Sequence, residues 1–204
     1  MSIVPNFMGS LGAVLKEFWS SYPSCHVDIC SAQSRTVLNQ VATRNAHLGI
    51  ARLPVISNEL EYRILFTDEF VVYVDENSEL SHRECIYPVD LKNFPIAVVN
   101  SSLEQNGFYQ ILQMFDEAGV HPFIVSHVDS TPMLLQVVGA SGVVGIGPHS
   151  GRNFARRGIK AIPLGGNKIY APLAVIWLKS EVNATVLRFR DMIVTICSAM
   201  EYED

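Results

Sequence analysis

The chain has 204 residues, 49% of them apolar and 17% charged, which suits one large domain or two small lobes with strands buried on both faces and excludes a disordered chain. Its net charge of −5 argues against a module that grips nucleic acid through phosphates, and the one basic cluster, Arg152, Arg156, Arg157 and Lys160, reads as a solvated helix end. Cys25, Cys30, Cys85 and Cys197 form neither a C-x-x-C pair nor a zinc spacing, so reduced thiols are expected.

The first basic residue is Lys16 and no long apolar core follows a charged start, so no secretory signal is read. Leu11, Val14, Leu15, Phe18 and Trp19 recur at helical spacing and predict a first helix, closed by Tyr22-Pro23. A short strand is expected over Val27–Cys30. Ser34 then caps a helix carrying Val37, Leu38 and Val41, and His47–Ala51 reads as a strand stopped by Leu53-Pro54. Two β-rich runs, Tyr62–Phe66 and Phe70–Val74, are separated by the acidic pair Asp68-Glu69. Glu76–Lys92 is polar and reads as a surface loop.

Ile96–Val99 opens a second round. It leads into a helix with Phe108, Ile111, Leu112 and Phe115 on one face, ended by Gly119 as a left-handed cap. Phe123–Val125 is the next strand, and Ser130 caps a helix bearing Met133, Leu134, Val137 and Val138. Val143–Ile146 follows as a strand. The uncharged stretch Pro132–Pro148 is too short and too rich in glycine to span a bilayer. Ile159–Pro163, a Gly165-Gly166-Asn167 turn and Ile169–Trp177 supply further strands. Val182, Val186, Phe189, Ile193 and Cys197 mark the buried face of a last helix.

Two rounds of strand, helix, strand, helix, strand suggest two α/β lobes with a cleft between them. Ligands of open α/β sheets sit outside the carboxyl ends of the strands, where helix N-termini offer backbone N–H groups. That rule selects the segments around Asn6 and Phe7, Gln33 and Ser34, Arg52, Asn100 to Ser102, Ser130 and Thr131, and Gly147 and Pro148 as candidate ligand-binding residues. Arg52 ends an apolar strand, where a guanidinium can pair with a ligand carboxylate; a solvent-exposed arginine at a loop start fits equally well. Asn100-Ser101-Ser102 suits either a polar ligand or a structural turn.

Catalytic and cofactor signals are weak. Gly145-Ile-Gly-Pro-His-Ser-Gly151 departs from the dinucleotide spacing, and Pro148 removes a needed N–H, so it reads as a strand-to-loop turn. Gly139-Ala-Ser-Gly-Val143 fails as a nucleophile elbow at its last position, and no Walker motif occurs. The six histidines form no H-E-x-x-H or other i,i+4 pair. No enzyme, metal or cofactor is expected.

In order along the chain, these segments resemble the effector-binding domain of LysR-type transcriptional regulators. Leu11-Gly-Ala-Val-Leu-Lys-Glu-Phe18 with Tyr22-Pro23 is similar to the family's first helix and its ending. Ser34-Arg-Thr-Val-Leu38 resembles the start of its second helix, and Leu48-Gly49-Ile50 its following strand, with His47 where the family usually has Asp. Asp90-Leu91 resembles the "DL" before the second lobe, and Val137-Val138 to Pro148 a later family segment in which Ser141-Gly142-Val143 replaces a G-x-G turn. Within the family, Ser34–Ile50 looks closest to sensors of opines and basic amino acids.

The resemblance implies an α/β fold of periplasmic-binding-protein type II, two Rossmann-like lobes joined by two crossover strands. Residues 1–71 and 165–204 would form lobe I and 72–164 lobe II. It also implies a winged helix-turn-helix that this chain lacks, with Met1 falling inside the first strand. The expected function is a cytoplasmic ligand-sensing domain. A small carboxylate or amino-acid-like effector would bind in the interlobe cleft, Arg52 or the helix N-termini facing its carboxylate, with Ser34, Ser101 and Thr131 hydrogen-bonding. Expected partners are that effector, further copies of the chain in a homodimer or tetramer, and DNA only through the missing domain, with no membrane. A transport solute-binding protein shares the architecture and is the alternative; an enzyme on the same fold is a third reading.

Overall fold

The computed structural model describes residues 1–55, 57–99 and 105–200. In chain order its elements are β1 (Ser2–Ile3), α1 (Met8–Ser21), β2 (Cys30–Ser31), α2 (Ser34–Ala42), β3 (Leu48–Arg52), β4 (Leu60–Asp75), β5 (Pro95–Val99) and α3 (Gln105–Glu117). There follow β6 (Phe123–Val128), α4 (Thr131–Ser141), β7 (Val144–Pro148), β8 (Ile159–Pro163), β9 (Tyr170–Leu178) and α5 (Ala184–Met200), with short 3-10 turns between several of them. The chain forms two compact units, Met1–Thr67 with Pro172–Asp204, and Asp68–Ala171. The second unit extends a few residues beyond 72–164 at both ends because those ends pair with each other and with their neighbours. The Phe70 N–H donates to the Ile169 carbonyl at 3.0 Å, and Lys168 meets Glu69 at 2.9 Å.

In the first unit the sheet runs β2-β1-β3-β9-β4, with β1 parallel to β2 and β3, and β9 antiparallel to β3. β2 shrinks to two exposed residues at the edge, shorter than the expected Val27–Cys30, because it has a partner on one side only. The core gathers Val14 and Phe18 of α1, Val37 and Val41 of α2, Ile50 of β3, Val175 of β9 and Phe189 of α5. Phe18 and Phe189 lie 4.3 Å apart between ring centroids. Trp19, at the margin of the predicted stripe, is 42% exposed.

In the second unit β5 is parallel to β6 and β7, while β4 runs antiparallel to β7 on one side and β8 on the other. Both faces of the sheet are buried at β4, β5 and β7. Val72, Val74, Ile96 and Val98 meet α3 through Ile111 and Phe115. The alternate residues Val71, Tyr73 and Ala97 meet α4 through Leu134, Leu135 and Val138. This period-two division accounts for the near-continuous apolar runs of the sequence.

Several expectations are corrected. The runs on either side of Asp68-Glu69 are one 16-residue strand, in which both acids find partners from later in the chain. Asp68 accepts from Ser150, and Glu69 pairs with Lys168, whose ammonium pKa that hydrogen bond holds above the ordinary lysine value. The Glu76–Lys92 segment is not a loose surface loop: it holds two 3-10 turns, Glu79–His82 and Pro88–Leu91, and buries Leu80, Ile86 and Leu91. Lys160 lies on β8, not at a helix end, and its ammonium donates to the Ser81 carbonyl at 3.3 Å. Gly119 does take the left-handed conformation after α3, with φ +67°.

Candidate functional site

The carboxyl ends of β1, β2 and β3 lie at one end of the first unit's sheet, since the three strands are parallel and adjacent. β1 runs into the 3-10 turn Pro5–Phe7, which contains Asn6. The Phe7 side chain is 1% exposed and belongs to the core. β2 leads into Gln33 and Ser34. Gln33, not Ser34, is the N-cap of α2, with φ −72° and ψ 155°. Ser34 is the first helical residue, 7% exposed, and its hydroxyl accepts from the Arg52 backbone N–H at 3.2 Å. That bond ties the start of α2 to the last residue of β3, where Arg52 is half-buried. The Gln33 side chain makes no cap hydrogen bond at the start of α2, and the dipole of a helix start favours an anion.

The second unit repeats the arrangement after β6 and β7. Ser130 is the N-cap of α4, but its hydroxyl donates to the Asp129 carboxylate at 3.0 Å and makes no cap bond. Thr131 opens the helix and is 5% exposed. Gly147 and Pro148 end β7 and are both buried. A side chain at Gly147 would touch Leu134, and the Pro148 carbonyl accepts from the Tyr73 hydroxyl at 2.6 Å. Proline has no N–H, so Pro148 turns its polar group inward. Asn100, Ser101 and Ser102 lie outside the described residues.

Three residues that sequence reasoning missed hold this end of the second unit: Asp68, Tyr73 and Ser150. The only sign of them was an acid inside an apolar strand pattern, and it read as a break. A further cavity of about 360 Å³ opens in the first unit at the amino ends of β1 and β3, lined among others by Met1, Phe18, His47, Leu48 and Phe189. Among the described residues no three His, Cys, Asp or Glu side chains come together as a metal-binding set. None of the described helices is long and apolar enough to cross a membrane.

Residues 4–198 match the family model described as LysR substrate binding domain. The HTH-type transcriptional regulator AlsR of Bacillus subtilis (strain 168) is 20% identical over 192 residues, covering 92% of this chain and 64% of that protein. The chain spans 64% and 58% of the length of two curated relatives it matches, both transcriptional regulators. Among solved structures, the BenM effector binding domain with its effector benzoate has a TM-score of 0.82 at 16% identity, covering 98% of this chain and 92% of that one. The effector binding domain of QuiR in complex with shikimate also has a TM-score of 0.82, at 15% identity over 97% and 95% of the two chains. At such identities the likeness is one of fold, the periplasmic-binding-protein type II-like architecture of these domains. With nearly its whole length matched, the chain belongs to the LysR substrate binding domain family.

Proposed function

We propose that the domain is the ligand-sensing part of a LysR-type transcription regulator and that its effector is a small carboxylate or an amino-acid-like molecule. The observation that carries this reading is the Ser34–Arg52 hydrogen bond of 3.2 Å. It ties the backbone of the half-buried Arg52, at the end of β3, to the start of α2, so that an arginine and a helix N-terminus stand together where a carboxylate can be met. Gln33 and Ser34 beside Arg52 are the polar positions of the first unit assigned to the effector. The molecules named in two of the neighbouring structures, benzoate with BenM and shikimate with QuiR, are carboxylates, which supports the class and not a particular compound.

The reading assigns the domain binding and release, with no chemical step. It places the protein in the cytoplasm, where transcription regulators act. DNA contact is assigned to a separate part of the full-length regulator, consistent with a net charge of −5 here. Self-association is assigned to the edge strand β6, which exposes Phe123 and Val125. The transport alternative is not retained, since the relatives are regulators.

Isothermal titration of benzoate, shikimate, glutamate and arginine tests the reading. At least one is expected to bind, and Arg52→Ala to weaken a carboxylate by roughly tenfold or more, the loss of a charge-assisted pair, with little change in melting temperature. Unchanged affinity in that variant would remove Arg52 from the site.

A further inference from the structure

Residues 148–151 follow β7, and side chains of the same unit hold them from several directions. Asp68, only 4% exposed, accepts twice from Ser150, from its N–H at 3.0 Å and from its hydroxyl at 2.5 Å. Tyr73, 0% exposed, donates to the Pro148 carbonyl at 2.6 Å, with the His149 carbonyl 3.3 Å away. Gly151 has no room for a side chain against Thr131 and the Tyr73 hydroxyl. A carboxylate buried this deeply requires donors. Two of them come from a single residue at the end of a parallel strand, where the fold presents ligand-binding groups.

With Pro148 turned inward and Ser150 drawn onto Asp68, the polar side chain left half-exposed in this segment is His149. Its Nε2 lies 3.1 Å from Arg152. A guanidinium only donates, so Nε2 accepts and the ring proton sits on Nδ1. The segment therefore carries an imidazole N–H beside a guanidinium, both donors suited to an acidic or hydroxylated ligand.

We infer that Asp68 is a positioning residue of the ligand-binding end of the second unit: through Ser150 it fixes the segment after β7 and so holds the His149 imidazole in place for a ligand there. This rests on the effector-binding reading above. It adds that selectivity at the second unit depends on a carboxylate that never touches that ligand.

The test compares the wild-type domain with Asp68→Ala, Asp68→Asn, Ser150→Ala and Tyr73→Phe, by hydrogen exchange of peptides covering 147–154 and by titration of the same four probe compounds. In Asp68→Ala, exchange in those peptides should rise roughly tenfold or more while β3 and β9 stay protected, and the affinity of any bound probe should fall by a similar factor. Asp68→Asn keeps an acceptor for the Ser150 N–H and should restore most of both. If Asp68→Ala does not fold, Ser150→Ala and Tyr73→Phe carry the test, each with a smaller rise confined to the same peptides.

Wild-type exchange in the segment overturns the inference. So does a loosened segment with unchanged probe affinity, which is what a merely structural role gives. If the wild type binds none of the four probes, the effector-class reading is overturned and the site role of Asp68 with it; the exchange data then report only on whether Asp68 holds the segment.

Discussion

Gly151 is where three parts of the second unit converge. A β-carbon built there would lie 2.5 Å from the Thr131 methyl and 2.6 Å from the Tyr73 hydroxyl, and both neighbours are buried and stiff. Gly151→Ala should therefore destabilise the domain by about 1–3 kcal/mol through overpacking, seen as a drop in melting temperature of about 2–4 °C per kcal/mol for a chain of this size. Gly49 is a parallel case. Its missing side chain admits Val37 and Val41 of α2, whose methyls would sit 2.7 and 2.8 Å from an added carbon. Leu48-Gly49-Ile50 was recognisable as a motif, and the close helix is the physical reason for its glycine. Arg52 and Ser34 were also legible, because strand ends and helix starts show in the hydropathy pattern. Their mutual bond was not legible, because it joins a hydroxyl to a backbone N–H 18 positions away.

At the scale of the element, the helices separate cleanly into those that resist substitution and those that invite it. Gly12 lies inside α1 with nothing within 4 Å of an added carbon, so Gly12→Ala should stabilise by about 0.5–1 kcal/mol through helix propensity alone. Gly142 ends α4 with φ +66° and is equally uncrowded. Gly142→Ala should cost about 1–2 kcal/mol for the left-handed backbone. Urea midpoints moving in opposite directions would check the pair; a shared sign would show that space, not conformation, governs these sites. Helical periodicity located all five helices, because each buries one stripe. Strand continuity was harder. β4 contains Asp68 and Glu69, and no local rule says that an acid will find Ser150 or Lys168 from a distant part of the chain. The 79–91 region was misread for a related cause: its buried residues Leu80, Ile86 and Leu91 are too far apart to make a pattern.

For the whole molecule, the apolar composition and the two rounds of strand and helix pointed to two α/β halves, and the ordered motifs pointed to the family. The candidate site was legible as a set of positions but not as a network. Self-association belongs to this scale as well. Phe123 and Val125 are 58% and 45% exposed on the same face of β6, a strand with a partner on one side only, and such edges are usually blunted by charge. Replacing both with glutamate should shift the protein towards monomer in sedimentation velocity without unfolding it. A wild-type domain that is already monomeric at high concentration would remove β6 as an interface.

β9 and α5 complete the first unit, and their place after the second unit in the sequence sets an order of assembly. β9 lies inside that unit's sheet between β3 and β4, and Val175, Phe189 and Ile193 complete its core. During synthesis at roughly 5–20 residues per second, the contiguous second unit emerges whole before those residues exist. Val14, Phe18 and Ile50 meanwhile lack the part of their core that β9 and α5 supply. β9 and α5 thus fasten the first unit last, and a ribosome that stops at Ala171 leaves the second unit's residues complete and the first unit's core without Leu173, Val175, Phe189 and Ile193.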